Sequence, residues 1–240
     1  MNRGSMLPST HPTIAEVLAQ FLADQRKRLA PKTFAQYEYV IELLQHCLDG
    51  YAHQSLNKAD AKLFDRLFNA EGDEHREFCQ IFGSEHILSN VGEFLDYFMI
   101  RKVIAGKDLL RAAGTVTKKL AAWMAEKGYA EAEEVEDAKE RAAAAVRDLP
   151  QAEDLASNLR RFAENQKRGS EDDEVEDYFM LTRVEPGKIW LEAMNGRELG
   201  PIQVPEDISR RCTVGWTISG VVGRVGKRWR LVEAWNVYPG

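Results

Sequence analysis

The reactive side chains of this 240-residue chain do not form a recognisable catalytic motif. There is no Gly-x-Ser-x-Gly turn, no His-Glu-x-x-His motif and no carboxylate pair in an evident apolar cleft. Two groups of histidines and cysteines come near one another in sequence, but neither matches a standard zinc spacing: His46, Cys47 and His53, then His75, Cys79 and His86. A single cysteine on a helix face, such as Cys79, is more often a small core residue than a metal ligand. The sequence therefore predicts no enzyme activity, no metal and no cofactor.

A glycine-spaced segment near the C-terminus, Gly220–Lys227, is interleaved with basic residues. It lacks the Gly-Lys-Ser/Thr ending and the following helix of a P-loop, so a flexible hairpin loop is the better interpretation. A solvated turn is the more common role of such a loop, and contact with an anionic partner is the alternative. The candidate partner-binding residues in and near this region are Trp190, Arg224, Lys227, Arg228, Trp229 and Arg230.

Four of the five tryptophans lie beyond residue 178. Exposed aromatic side chains beside Arg or Lys stack nucleic-acid bases or hold peptides, whereas buried ones fill a core. Trp190 alternates with polar residues and is expected on an outer face. Trp216 shares a face with Val214, Ile218 and Val222, which predicts a core position. For Trp229 and Trp235, whose strand face is interrupted by Glu233, a core position is favoured.

The net charge of −6 opposes strong nucleic-acid binding by the chain as a whole. The charge is uneven, however. Residues 131–177 are strongly acidic, whereas residues 101–130 hold seven basic residues against Asp108 and Glu126. A local basic surface is therefore compatible with the acidic total.

Three widely spaced cysteines, Cys47, Cys79 and Cys212, do not form a disulfide framework, and a reducing, cytoplasmic location is the natural inference. No apolar run approaches the roughly 18 residues that a membrane span needs, so no membrane partner is expected. Residues 1–12 have no long apolar core, and a disordered leader is predicted there.

Apolar residues at helical spacing predict a bundle over residues 13–129. Thr13 and Glu16 have the spacing of a capping box, and Pro31 suits the first position of a second helix that ends near Gly50. Further helices are predicted over 58–70, 73–82, 86–103 and 108–127.

The next two segments are helical and then acidic. Residues 130–167 carry a thin, Ala-rich apolar stripe that Pro150 interrupts. This pattern favours a helical hairpin or connector that lies on its own domain, and a homodimer seam through 135–162 is the alternative. An acidic linker is predicted over 168–177.

Residues 178–240 read as five short strands punctuated by turn signals such as Glu185-Pro186-Gly187 and Asn195-Gly196. So small a sheet needs closure to bury its apolar face, which predicts a small antiparallel β-barrel, SH3-like or OB-like. The predicted fold class is therefore α+β, an N-terminal helical bundle followed by this barrel.

The segment Thr13–Tyr51 resembles the N-terminal core-binding domain of phage integrases, the SAM-like helical domain of the tyrosine recombinases. Ala30, Pro31, Lys32, Thr33 and Tyr37 stand where that family has a Ser/Ala-Pro-Lys-Thr step into its second helix and a Tyr one turn on. The segment Leu109–Tyr129 is similar to a later helix of the family. The resemblance covers about half the chain and implies a fold that clamps duplex DNA.

The catalytic part of that family has no counterpart here. Recombinases use a tyrosine nucleophile and a His-x-x-Arg signature, and none of the five histidines has an arginine three residues on. We therefore expect a non-catalytic DNA-binding or accessory protein, and a protein-interaction adaptor is the alternative. Phosphate contacts come from Lys, Arg, Thr and helix N-termini. The candidate nucleic-acid-binding residues are Lys32, Thr33, Arg101, Lys102, Lys107, Arg111, Lys118 and Lys119.

Overall fold

The computed structural model describes residues 12–166 and 173–240. The predicted leader up to residue 11, and residues 168–172 of the predicted linker, lie outside these ranges. The chain divides into two compact units, one of residues up to Leu95 with Ala112–Ala143, the other of Asp96–Arg111 with Ala144–Gly240. A helical N-terminal region followed by a five-stranded sheet confirms the predicted α+β class.

The first two helices begin where the sequence predicts. Helix α1 spans Ile14–Arg26, and its capping box is formed, because the Glu16 amide donates to the Thr13 hydroxyl and the Thr13 amide donates to the Glu16 carboxylate at 2.8 Å. Helix α2 spans Pro31–Tyr51 with Pro31 in its first turn. These starts depend on residues within four positions of one another, and local sequence therefore identifies them.

The middle of the first unit is more broken than predicted. Helix α3 spans Lys58–Phe68, a 3₁₀ turn covers Gly72–Glu74, and the predicted helix over 73–82 shrinks to α4, Phe78–Ile81. The predicted helix over 86–103 becomes α5 at Glu85–Ser89, a π-helix at Glu93–Phe98 and α6 at Met99–Arg101. The Asn90 side chain donates to the His86 carbonyl oxygen at 2.8 Å, and a side chain that competes for helix carbonyls favours such a break.

Two long helices follow. Helix α7 spans Lys107–Lys127, and helix α8 spans Ala132–Glu164 without interruption at Pro150. Of the two forms predicted over 130–167, the hairpin is therefore not formed and the connector stays a prediction. Buried apolar residues on both sides of Pro150 keep the segment helical. Leu149, Ala152 and Leu155 are at most 2% exposed. The stripe proposed as a dimer seam is buried within the chain, at Val135, Ala138, Ala142, Ala145, Leu149, Ala152, Leu155, Ala156 and Leu159.

The sheet lies in the second unit. Its strands are β1 at Asp173–Glu185, β2 at Lys188–Glu192, β3 at Glu198–Gln203, β4 at Thr217–Val225 and β5 at Arg228–Tyr238. Strand β1 starts at Asp173, so residues 173–177 of the predicted linker are strand instead. A short helix α9, Glu206–Ser209, lies between β3 and β4.

Each strand is paired on both sides. The order of hydrogen-bonded neighbours, β1-β2-β3-β5-β4, returns to β1. Four junctions are antiparallel and one, between β3 and β5, is parallel. The prediction of antiparallel pairing throughout is wrong at this junction, because five strands cannot alternate in direction around a closed ring.

One core fills the second unit. Its centre holds Phe179, Leu191, Leu199, Leu231 and Val237 from the sheet together with residues of α8 from Ala152 to Ala163. The α8 stripe thus supplies the apolar surface that a small sheet needs to bury its inner face.

The tryptophan predictions are correct in part. Trp216 is 6% exposed and packs with the buried Ile218 and Val222, whereas Val214 is exposed. Trp229 is half-buried against the core, and Trp235 is exposed, which contradicts its predicted core position. The register between β4 and β5 shifts twice, so Leu231, Ala234 and Val237 point inward at intervals of three instead of two.

Candidate nucleic-acid interface

A basic cleft of about 550 Å³ lies in the second unit. Three elements build it: the start of α7, the middle of α8 around Pro150, and the residues that follow α9. Five of its lining residues are cationic and one, Asp154, is a carboxylate. The lining residues that carry charge are Lys107, Arg111, Arg147, Asp154, Arg210 and Arg211.

Asp154, on α8, joins all three elements. Lys107 donates to one of its carboxylate oxygens and Arg211 to the other. The Lys107 hydrogen bond, with the charges of both cations, holds the pKa of Asp154 below its usual range. A single ionised carboxylate thus positions two cations, and this local group of three keeps a positive charge.

The other three arginines are each held by a carboxylate close by in sequence. Arg147 donates twice to Asp148, at 2.7 Å each, Arg111 donates to Asp108 at 3.1 Å, and Arg210 donates to Glu206 at 2.6 Å. Their side chains are half or more exposed, at 67%, 53% and 75%. Since a guanidinium has five N–H donors, Arg147 and Arg210 retain donors for a second anion. Five cations against four carboxylates leave the cleft with a small positive charge.

The cleft unites two of the eight predicted nucleic-acid residues, Lys107 and Arg111, with three that the sequence reasoning missed. Arg210 and Arg211 end the Glu-Asp-Ile-Ser-Arg-Arg segment, whose paired arginines were a usable signal. Arg147 stands on the polar side of the α8 stripe, where nothing in the sequence distinguishes it from other solvated charges.

Two more of the predicted residues stand at the start of α2. Lys32 and Thr33 are exposed in its first turn, and Ala30, which precedes the helix, provides no side-chain cap. The backbone amides of this turn therefore lack a side-chain acceptor from the cap position.

Lys118 and Lys119 lie on α7 in the first unit, exposed and half-buried respectively. Within the part of the chain that the structure describes, neither lysine forms an ion pair. No carboxylate among residues 12–166 and 173–240 therefore forms an ion pair that offsets the charge of these two lysines.

Arg101 and Lys102 lie at the end of α6, in the second unit, and are not part of the cleft. Arg101 donates to the hydroxyl oxygen of Tyr178 at 2.6 Å, and its guanidinium carbon lies 5.9 Å from the centroid of the same ring. The Lys102 ammonium lies 5.8 Å from the ring centroid of Tyr97. These two cations therefore belong to an aromatic cluster on the sheet surface.

The predicted partner-binding residues fall into two groups. Trp190 lies on the outer face of β2, half-buried, with the Arg183 guanidinium 4.5 Å from its ring centroid. Its ring covers Gly200, where a Cβ would come within 2.6 Å of Trp190 Cδ1. Trp190 thus contacts both Arg183 and Gly200 of its own chain, which limits the access of a ligand.

The second group surrounds Trp229. The guanidinium groups of Arg197 and Arg224 lie 5.1 and 5.5 Å from its ring centroid, and Asp173 pairs with both arginines at 2.6 and 3.9 Å. One carboxylate, that of Asp173, therefore pairs with both arginines that lie against the Trp229 ring.

The predicted glycine-rich loop is mostly strand. Residues 220–225 belong to β4, and the turn to β5 consists of Gly226, whose φ is +59°, and the exposed Lys227. Arg228 is exposed at the start of β5 and Arg230 is half-buried. The structure separates these basic residues along a tight hairpin, and they do not converge on one point.

Other chemistry has little support among residues 12–166 and 173–240. No three His, Cys, Asp or Glu side chains gather there in a way that could hold a metal ion. Burial raises the pKa of the Cys47 and Cys212 thiols to about 12 and raises that of Cys79 as well, so none of them is an activated thiolate. Over the same residues no helix is both long and apolar enough to cross a membrane.

Comparison of the chain with protein-family models, with curated proteins and with solved structures found no match.

Proposed function

We propose that this chain is a non-catalytic DNA-binding or accessory protein that contacts the phosphate backbone. The single observation that carries the proposal is the basic cleft, where Lys107, Arg111, Arg147, Arg210 and Arg211 surround one carboxylate. The Lys118–Lys119 pair of the first unit is a second contact surface in this proposal, with Lys32 and Thr33 at the start of α2.

The cleft suits phosphate groups for two reasons. Its arginines are exposed and planar, which allows two parallel hydrogen bonds to one phosphate. The partners of Arg111 and Arg210, Asp108 and Glu206, are exposed at 94% and 60%. Exposed ion pairs of this kind contribute only about 0–1 kcal/mol, so a phosphate can exchange with these carboxylates at little cost.

The helical resemblance to the core-binding domain of phage integrases supports a backbone contact without cleavage. Helices α1, α2 and α7 correspond to the segments that carry the likeness, and Pro31 begins α2 as the resemblance implies. A clamp of this type binds the duplex through shape and charge, and the missing His-x-x-Arg signature leaves it without the recombinase chemistry.

For the second unit we infer an OB-like barrel in preference to an SH3-like one. The strand order β1-β2-β3-β5-β4, the parallel junction of β3 with β5 and the helix between β3 and β4 together support this inference. OB folds commonly bind oligonucleotides, which agrees with a nucleic-acid role for the chain.

The alternative function, a protein-interaction adaptor, has to use a surface other than 135–162, because the apolar stripe of that segment is buried. Exposed apolar side chains on the sheet unit, with Met194 78% and Met180 42% exposed, are the observation in its favour. Under this alternative the chain binds a protein and shows no salt-dependent affinity for DNA.

The test is a salt titration of duplex binding by the whole chain and by the double variant Arg147→Ala/Arg210→Ala. We expect wild-type affinity to fall steeply between about 50 and 200 mM salt, and the variant to bind more weakly with a shallower dependence. Removing one phosphate-binding cation makes the slope of log K against log salt shallower by about 0.9. Fluorescence anisotropy with a labelled duplex measures both quantities.

The matched control is Lys62→Ala/Arg66→Ala, which removes the same charge from the exposed face of α3. Equal weakening by the control and the cleft variant would show that net charge alone matters and would exclude the cleft. A wild-type chain that binds no duplex at the lowest salt, or binds it independently of salt, would exclude the proposed function.

A further inference from the structure

A cluster of tyrosines and cations lies on the outer surface of the sheet, apart from the basic cleft. Tyr178 on β1 and Tyr238 on β5 have ring centroids 5.8 Å apart, with their planes inclined at 47°. Arg101 donates to the Tyr178 hydroxyl at 2.6 Å and to the Tyr238 hydroxyl at 3.5 Å. We call these three residues the tyrosine platform.

Strand register explains why the two tyrosines meet. Both strands flank β4, where Tyr178 pairs with Ser219 and Tyr238 pairs with Thr217. Serine and threonine are short, so the space above β4 is left to the aromatic rings. Tyr178 stays 40% exposed, and Met180, two residues on along the same face of β1, is 42% exposed. The platform is therefore an accessible aromatic surface, and one guanidinium donates to both ring hydroxyls.

The charges around the platform are unequal on its two sides. On one side lie Arg101 and Lys102, and Lys102 contacts the ring of Tyr97. On the other side the exposed Glu176 precedes Tyr178 on the same strand face, and Asp177 is engaged by the backbone amides of Tyr178 and Met194. An anionic chain lying over Tyr178 is thus attracted toward α6 and repelled from the start of β1.

We propose that the tyrosine platform stacks an unpaired base of single-stranded nucleic acid. This inference rests on the proposed nucleic-acid function and deepens it, since it assigns the base contact to the second unit. Bases stack on exposed Tyr rings and on Arg guanidinium planes without regard to sequence, and nearby cations hold the phosphates. A base inside a duplex is already stacked and has no free face for the ring.

The test compares two single strands of equal charge, an oligothymidylate of about 15 nucleotides and an abasic strand of the same length. Phosphate contacts are common to both, so only a stacking surface distinguishes them. We expect the wild-type chain to bind the oligothymidylate more tightly than the abasic strand. The variant Tyr178→Ala should weaken oligothymidylate binding by about five- to a hundredfold while leaving abasic binding unchanged.

Two further variants keep the test decisive. Tyr178→Phe retains the ring and should keep the preference for bases, which separates stacking from loss of the hydroxyl interaction with Arg101. Tyr39→Ala removes a tyrosine of similar exposure, 47%, from α2 in the first unit and should change nothing. Thermal unfolding of each variant shows that the fold is kept.

The inference fails if the wild-type chain binds the oligothymidylate and the abasic strand with equal affinity. It also fails if Tyr178→Ala binds both strands with the same affinities as Tyr39→Ala. Such a result, with cleft variants that still weaken duplex binding, would leave the proposed function standing. Tyr178→Ala that instead abolishes capture of a protein partner, with strand binding intact, would assign the platform to protein recognition and overturn the inference. A wild-type chain that binds no nucleic acid, or binds it independently of salt, would overturn the inference and the proposed function together.

Discussion

Asp24 shows how one side chain organises its surroundings in the first unit. Its carboxylate pairs with Lys127 and with Lys27, each at 3.0 Å, and accepts a hydrogen bond from the Trp123 indole at 3.2 Å. The Lys127 hydrogen bond, followed by that of Lys27, holds the pKa of Asp24 far below its usual range. Since Asp24 lies on α1 and its partners come from α7 and from the residue that follows α1, the carboxylate links the two helices.

The shifted pKa of Asp24 makes stability depend on pH. A carboxyl whose pKa is lower in the folded state stabilises the fold above its unfolded pKa of about 3.9, and that contribution declines as pH falls below it. We therefore expect Asp24→Asn to be less stable than wild type at pH 6 and the difference to shrink toward pH 2. Urea unfolding across this range measures it. The control is Asp207→Asn, which removes an exposed carboxylate and should give a small difference; a constant difference for Asp24→Asn would contradict the role of ionisation.

At the scale of the element, α8 shows a local rule overridden by packing. Proline in a helix interior removes one hydrogen bond and usually costs about 3 kcal/mol. The helix persists through Pro150 because Leu149, Ala152, Leu155 and Leu159 are buried on one continuous face. Its second half supplies part of the core beneath the sheet. Pro150 itself lines the basic cleft and is buried.

Replacing this proline should stabilise the chain. Pro150→Ala restores a backbone donor to the helix, and this gain exceeds the loss of two buried methylenes by about 1–2 kcal/mol. Chemical denaturation measures the change in the free energy of unfolding. The control Pro205→Ala alters a proline outside the helix interior and should not stabilise. A destabilised Pro150→Ala would mean that the ring itself maintains the path of α8.

In strand β5, as in α8, tertiary packing overrides a local sequence pattern. A Cβ at Gly220 would lie 2.2 Å from the Glu233 carbonyl oxygen, so the β4–β5 irregularity requires a residue without a side chain there. The shift that follows turns Trp235 outward. A period of two along β5 is therefore a poor guide to its core, although that period is the ordinary sign of a strand.

The whole chain has a net charge of −6, so binding of a polyanion depends on local basic surfaces. Each unit carries a local basic surface, the Lys118–Lys119 pair in the first and the cleft in the second. Screening limits electrostatic interactions to about 8–10 Å near physiological salt, so local charge decides contact while the acidic total slows approach. Binding should therefore be weak and strongly dependent on salt.

Lys118 and Lys119 allow a test of whether the first unit contacts DNA. Reversing both charges, Lys118→Glu/Lys119→Glu, should weaken duplex binding and flatten its salt dependence. If the same duplex contacts both units, combining this change with Arg147→Ala/Arg210→Ala should lower the salt slope further than either does. Anisotropy titrations of the four proteins measure this. A double lysine variant that binds like wild type would leave the cleft as the contact surface and remove the first unit from the proposal.

Local patterns were enough to predict the change from helices to strands, the starts of α1 and α2, the extent of α7 and the core position of Trp216. These features depend on residues close together in the chain, through caps, proline placement and apolar periodicity. The break between α5 and α6 was missed, because a side chain such as Asn90 competes with helix hydrogen bonds in a way that periodicity does not show.

Which charges come together depends on long-range packing. Lys107, Asp154 and Arg211 stand about fifty residues apart in sequence and meet in one cleft, while Arg101 and Lys102, close to Lys107 in sequence, are drawn to the tyrosines instead. Strand register likewise brings the rings of Tyr178 and Tyr238 together across β4 and turns Trp235 outward. Contacts of this range depend on how buried faces pack, and no local pattern of charges records that packing.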